Sequence, residues 1–227
     1  MALERPSGPP VTAVVCDVPG TLLDEDGARV AAVRSALPAL EDAAGFARRW
    51  AERVAQDIST IAARERPFRP NDELEEAALA ELLTASGLHL PEARMVGLAG
   101  FGDRIEPFPG VPDAVADLRA RFPLVALTNA GLAQTAALFT SVGWEWTAVV
   151  SAEAVTAYKP DPRMYRHALE VLGLPGSEVL FVAAQVWDLA AAAEEGMRTA
   201  SLGADDPAGR FDLSAPDLAG LVAQLTR

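Results

Sequence analysis

The sequence has one cysteine, Cys16, so no disulfide can close within the chain and a reducing cytoplasm is the expected setting. Positive charge is scarce. Nineteen Lys and Arg face 32 Asp and Glu, a formal net charge of -13 that repels phosphate backbones and anionic lipid, so neither nucleic acid nor membrane is expected as a partner. No apolar run approaches the roughly 20 residues that a bilayer span requires. The opening "MALERPSGPP" lacks the apolar centre of a signal peptide and is expected to be a disordered tail over residues 1–10. Internal repeats and low-complexity tracts are missing as well. Histidine is limited to His89 and His167, in a loop and on a helix, where a structural or solvated role is expected.

Half of the 227 residues are hydrophobic, enough for a substantial core. Short apolar runs at 11–16, 124–128, 147–151 and 179–184, with a weaker one at 198–202, have the length and composition of buried parallel strands. Helical segments separate them, near 111–121, 131–142, 161–173 and 188–195, with a last one near 216–226. The alternation predicts an α/β fold with a doubly wound parallel sheet. From about residue 24 to 105 the rhythm is helical throughout, as in "FARRWAERVAQDISTIAARE". The expected domains are therefore a Rossmann-like core over 11–23 and 106–227 and an inserted helical cap over 24–105.

Open α/β sheets bind ligands at the carboxyl ends of their strands. There the sequence delivers Asp17 after the first strand, Thr128 and Asn129 after the second, Lys159 after the third and Asp188 after the fourth. Singly, each reads as a turn, a cap or a solvated charge. Together, from four separated segments, they read as a site. Cys16 sits inside an apolar strand and is expected to be a buried structural thiol, and Trp144 and Trp146 in "GWEW" are expected to pack rather than stack on a ligand.

The stretches "DVPGTLLD" from Asp17, "LTNAG" from Leu127, "YKPDPRMY" from Tyr158 and "FVAAQVWDLAAA" from Phe181 resemble, in order and spacing, the four motifs of the haloacid dehalogenase superfamily. The resemblance covers nearly the whole chain. It implies Asp17 as nucleophile, Thr128 and Asn129 as anchors for substrate and carboxylate, Lys159 as charge partner, and Asp188 as the group that positions Lys159 or the hydrolytic water. A carboxylate is ionised at neutral pH and attacks without a general base, provided it is oriented.

Most superfamily members are magnesium-dependent phosphatases with a second aspartate two positions after the nucleophile, and here that position is Pro19, which has no proton to exchange. Their acidic metal ligand early in motif four is also missing, replaced by the pair Ala183 and Ala184. The chain is closer to the 2-haloacid dehalogenases, which it resembles in "DVPGT" and in the Trp187–Asp188 pair. That resemblance implies a metal-independent, cofactor-free hydrolase that displaces halide from a small 2-haloalkanoic acid through an aspartyl ester. The expected substrate contacts are Val18, Pro19, Asn129, Arg48, Trp50, Gln185 and Trp187. The substrate carboxylate is expected on backbone N–H groups near residues 129–131, where a helix begins. Ala51 occupies the position after the cap tryptophan where such dehalogenases carry a halide-binding arginine; Arg48, on the same helix face, is a candidate replacement, and a solvated face formed by Arg48 and Arg49 is the alternative. A homodimer is one open assembly. The alternatives are a divergent phosphatase and a catalytically impaired protein of this fold that binds or regulates.

Overall fold

The computed structural model describes residues 10–203 and 209–226, apart from the side chain of Arg104. The expected tail falls almost wholly outside this range. Six parallel strands form one sheet: β1 (Ala13–Cys16), β2 (Leu124–Thr128), β3 (Ala148–Ser151), β4 (Val179–Ala183), β5 (Arg198–Leu202) and β6 (Leu213–Ala215). Their order is β3-β2-β1-β4-β5-β6, so the direction of winding reverses beside β1. The doubly wound α/β reading of the sequence is thereby realised, with β6 an addition. Three residues long with Ser214 at its centre, "LSA" is too short a run to be told from a loop by its pattern.

The central strands are apolar throughout because both faces of the sheet are covered. β1, β2 and β4 are buried at every position. Val14 and Val15 of β1 pair with Leu124 and Val125 on one side and with Leu180 and Phe181 on the other. β-Branched side chains fill a pleated surface well, which is why Val recurs in these strands. Cys16 belongs to this layer and is fully buried, and burial raises its thiol far above the ordinary range, so it is inert as a nucleophile.

Between β1 and β2 lie the helices that were expected to form the cap. They are α1 (Glu25–Ala36), α2 (Ala43–Ala62), α3 (Asn71–Ala85), α4 (Glu92–Ala99) and a 3₁₀ turn (Gly100–Arg104). Asp24 and Asp42 start α1 and α2 by accepting backbone N–H groups, from Gly27 at 2.9 Å and Gly45 at 2.8 Å. The remaining helices flank the sheet: α5 (Val111–Arg119), α6 (Leu132–Val142), α7 (Ala152–Val155), α8 (Pro162–Leu172), α9 (Val186–Glu194) and α10 (Leu218–Leu225). No described helix is long and apolar enough to cross a membrane.

Trp50 on α2 is fully buried in this helical layer, edge-on to Phe101 at 5.3 Å, with its indole N–H donated to the backbone oxygen of Glu75. The expectation that Trp50 contacts substrate is therefore corrected. Its polar atom is spent inside the cap, and its ring holds α2 against the 3₁₀ turn. Trp144 and Trp146 pack on Phe139 at the far side of the sheet.

The chain leaves β1 through a tight turn that aims Asp17 at the sheet edge. Gly20 adopts φ +77°, and a Cβ there would stand 2.8 Å from Nε2 of Gln185. The left-handed backbone favours glycine, and any larger residue would also push the Gln185 amide aside. Gly20→Ala is expected to cost about 1–2 kcal/mol in urea unfolding, from the backbone conformation alone, with a larger loss of activity because Gln185 must move.

Candidate active site

Four strand ends bring the polar residues together, as the doubly wound topology requires. Asp17 follows β1 directly, and its backbone N–H is fixed to the carbonyl of Val182 on β4 at 3.0 Å. The ammonium of Lys159 lies between two carboxylates, 2.5 Å from Oδ1 of Asp17 and 2.6 Å from Oδ2 of Asp188. All three groups are buried. Burial opposes the charge on Lys159, but Asp17 and Asp188 outweigh it and hold its pKa above the ordinary lysine value. Burial raises Asp188; Lys159 opposes that rise and the nearby Asp17 adds to it.

Asn129 sets the backbone of Lys159. Its Oδ1 accepts the Lys159 N–H at 2.8 Å and its Nδ2 donates to the Lys159 carbonyl at 3.4 Å. Asn129 thus combines a place on the cavity wall with a structural task. Thr128 is fully buried, and its hydroxyl oxygen accepts the N–H of Ala130 at 3.0 Å, which shapes the turn after β2.

The second oxygen of Asp17 is held by Thr21, a residue that follows the first strand in the sequence but was given no role from the sequence. Thr21 donates its hydroxyl to Oδ2 of Asp17 at 2.5 Å and accepts the N–H of Ala184 at 3.0 Å. The signal was present in the sequence, since a hydroxyl four residues after the nucleophile lies one turn further on. Tyr165 was missed as well. Its hydroxyl donates to Oδ1 of Asp188 at 2.5 Å, so Asp188 spends one oxygen on Tyr165 and the other on Lys159. Asp188 sits behind the lysine, off the cavity wall. Of its two expected roles, the one seen is to hold Lys159. Burial, reinforced by Asp188, raises the Tyr165 phenol far above its ordinary pKa and keeps it a donor.

A cavity of about 550 Å³ opens over Asp17, between the strand ends and the helical cap. Pro19, Gln185 and Trp187 line it, as expected of substrate contacts. Gln185 also donates to the Gly20 carbonyl and contacts the Thr21 hydroxyl, which ties motif four to the turn after β1. Val18 is buried beneath the turn and does not reach the wall, a correction that follows from its place in the hydrophobic core.

Arg48 is corrected too. It points to solvent from α2, its side chain 71% exposed, 3.8 Å from Glu52, while Ala51 faces the cavity. Three residues along a helix subtend about 300°, and here the 60° offset carries Arg48 off the lining face. The arginine on the wall is Arg29 of α1. Its guanidinium makes two bonds to Glu75, at 2.6 and 3.0 Å, and one to Glu25 at 3.0 Å, and it lies 4.3 Å from the ring centre of Phe101 and 4.8 Å from that of Trp50. Nothing in the sequence near residue 29 marks it, because its importance depends on the chain folding α1 and α3 together.

Backbone donors at the start of α6 are partly committed. Besides Ala130, whose N–H is taken by Thr128, Leu132 gives its N–H to Glu153 at 3.1 Å. A divalent cation suits the site poorly. Between Asp17 and Asp188, where carboxylates could share such an ion, the Lys159 ammonium already stands, and Ala183 and Ala184 offer no further oxygen side chains. Among the described residues, no group of three or more His, Cys, Asp or Glu is arranged to hold a metal.

A buried carboxylate held by lysine and threonine at the switch point of a doubly wound sheet, under a helical cap, is an arrangement suited to hydrolysis. The sequence model of the haloacid dehalogenase-like hydrolases matches residues 11–196, and the chain belongs to that family. It is 28% identical over 191 residues to an (S)-2-haloacid dehalogenase of Pseudomonas putida, covering 82% of each chain. Its structure superposes on the defluorinating L-2-haloacid dehalogenase Rha0230 with a TM-score of 0.89 at 30% identity, over the full length of both chains. Against the L-2-haloacid dehalogenase PA0810 the TM-score is 0.87 at 28% identity, covering 95% of this chain and 99% of that one.

Two outcomes are expected of the arginines. Arg48→Ala is expected to change stability by less than about 0.5 kcal/mol and to leave turnover intact, as for an exposed pair. Arg29→Met strands Glu25 and Glu75 without their cation and is expected to cost about 3–5 kcal/mol in denaturant unfolding.

Glu25 supplies a pH test. Burial first, then Glu75, Asp26 and Asp17, push its carboxyl up from the usual 4.5 to about 7 against the opposing charge of Arg29. A raised folded-state pKa gives stability that is complete below the unfolded value and is lost as pH rises to about 7. Glu25→Gln lacks this dependence, so calorimetric Tm values are expected to move in the variant's favour between pH 5 and pH 8.

Proposed function

We propose that this protein hydrolyses a carbon–halogen bond at C2 of a carboxylic acid, through an ester on Asp17 and without a metal ion. The observation that carries this reading is the bracket on Asp17. Lys159 holds one oxygen and Thr21 the other, which fixes the carboxylate plane while each oxygen keeps a lone pair free for attack. The carboxylate lies on the cavity wall with no proton donor at position 19.

In the first step an Asp17 oxygen attacks C2, the new C–O bond forms, and the carbon–halogen bond breaks with its electron pair leaving on halide. Halide departs without protonation, so Pro19 is no handicap. A phosphate ester needs a proton for its leaving oxygen, and that requirement favours the halide reading over the phosphatase one. In the second step water attacks the carbonyl carbon of the Asp17 ester, the acyl C–O bond breaks, and a 2-hydroxy acid and a proton are released. The regenerated carboxylate keeps one oxygen from water. Lys159 stays charged throughout, held in register by Asp188 and Tyr165, and stabilises the negative charge that develops on the ester oxygen. The substrate carboxylate is placed beside Asn129 and Ala130, where the start of α6 contributes a favourable dipole. The (S)-2-haloacid and L-2-haloacid dehalogenases that the chain resembles support the same substrate chemistry.

A single turnover in ¹⁸O-water tests the covalent step. The label is expected in Asp17 by peptide mass spectrometry, with unlabelled 2-hydroxy acid released first. Label entering product directly, with Asp17 unlabelled, overturns the ester. Asp17→Asn is expected to lower halide release by at least about 10³-fold while thermal unfolding stays cooperative. A strong chelator is expected to leave the rate unchanged.

A further inference from the structure

Lys159 rides on a short turn, closed where the Asp161 N–H donates to the Tyr158 carbonyl at 2.8 Å. From the core side, Asn129 fixes the backbone of Lys159. Both ends of the turn are also tied to the cap, through the connection between α2 and α3. The hydroxyl of Tyr158 donates to the carbonyl of Arg69 at 2.8 Å, and its ring lies 5.2 Å from that of Phe68. At the other end the Asp161 carboxylate accepts Nε and Nη2 of Arg64, at 3.1 and 3.3 Å.

Two features separate Arg64 from an ordinary surface ion pair. The first is that Asp161 does not need it for charge balance. Arg163 already gives this buried carboxylate Nε and Nη2 bonds at 3.1 and 2.9 Å and a backbone N–H at 3.0 Å. Those bonds stay within the core, whereas the Arg64 pair crosses from the cap. The second is the backbone. Arg64 sits just past the end of α2 with φ +61°. Its N–H goes to the Ile61 carbonyl at 2.9 Å and the Glu65 N–H to that of Thr60 at 3.0 Å. Glycine adopts this left-handed helix ending freely, and a residue with a Cβ adopts it at a cost. A glycine would satisfy the backbone here. What the arginine adds is a guanidinium that reaches a buried carboxylate across the cap–core boundary, with most of its own side chain in solvent.

We infer that Arg64 is a positioning residue: it holds the turn 158–161 through Asp161 and makes the placement of Lys159 depend on the seating of the cap. The Tyr158–Arg69 bond holds the other end of the same turn. This rests on the dehalogenase reading, in which Lys159 stabilises the charge that develops at Asp17. It adds a route by which a cap residue outside the active-site wall sets the rate of the chemical step. Arg64 does not line the cavity over Asp17, so its loss acts on turnover and not on substrate contacts. Misplacing an oriented group by about 1 Å costs on the order of 10²-fold in rate, and loosening one end of the turn is expected to cost about tenfold.

The test is Arg64→Gly in the full chain. Glycine relieves the left-handed backbone as it removes the guanidinium, so Tm is expected to stay within about 3 °C of the parent. Arg64→Asn, whose side chain also tolerates that backbone, takes its place if the glycine variant fails to fold. Hydrogen exchange read by mass spectrometry is expected to be at least about fivefold faster over residues 156–165, with β1 and β4 unchanged. For halide release from 2-chloropropionate, kcat is expected to fall about tenfold with KM within about twofold. Arg64→Lys keeps the charge and is expected to recover part of that loss. Arg66, on the same connection, bonds Asp57 inside the cap, and Arg66→Met is expected to alter neither the exchange over 156–165 nor kcat. Unchanged exchange in Arg64→Gly overturns the tie, and faster exchange with unchanged kcat overturns the positioning role. An equal loss of kcat in Arg66→Met, or none recovered by lysine, also overturns it. A parent that releases no halide overturns the dehalogenase reading; the tie between Arg64 and the Lys159 turn is then upheld by faster exchange and overturned by unchanged exchange.

Discussion

The ammonium of Lys159, buried between Asp17 and Asp188, is the interaction on which the rest of the site depends. A lone ammonium in that position is heavily penalised by desolvation, and so is either carboxylate without it. The three groups are tolerable only together, and the fold is arranged to bring them together. Asp17 arrives from β1, Asp188 from the first turn of α9, and Lys159 from the loop ahead of α8. Asn129 fastens that loop by its backbone, and Tyr165 closes the remaining oxygen of Asp188. Removing Lys159 leaves two unpaired carboxylates inside the sheet edge.

From that arrangement follows much of the chemistry. A carboxylate pinned at both oxygens cannot rotate, so the orientation of Asp17 is set before any ligand arrives. The same lysine stands between the two carboxylates, and Ala183 and Ala184 add no oxygen ligand beside them. The loss of a proton donor at Pro19 fits a leaving group that needs none. The cap supplies a second, separate balance of charge, in which Arg29 stands between Glu75 and Glu25 over the aromatic faces of Trp50 and Phe101. Five carboxylates and two cations around one cavity, counting Asp188 behind Lys159, make an electronegative chamber inside a family whose named relatives handle haloacids.

The core of this constellation was legible in the sequence because it is encoded locally. Asp17 and Asn129 directly follow apolar runs where the chain leaves the sheet, and Lys159 and Asp188 lie in the segments that connect later strands at the same carboxyl edge. Apolar strands of this length also determine the parallel sheet, since no amphipathic alternation is available to leave a face in water. The helical insert was readable from its periodicity.

What only the tertiary structure decided is which side of each helix meets the cavity and which charges meet each other. Trp50 and Arg48, neighbours in the motif, went one into the cap core and the other into solvent, because helix rotation is set by packing against α1 and α3 and not by the local sequence. Arg29 and Glu75 are 46 residues apart, and their pairing exists only once α1 and α3 both pack against α2. Thr21 and Tyr165 are ordinary residues in the sequence and become part of the site through distances of 2.5 Å to Asp17 and Asp188. Local pattern determines where a side chain sits along an element. Its partners depend on the burial of unlike segments against one another, and with them the charge of the pocket.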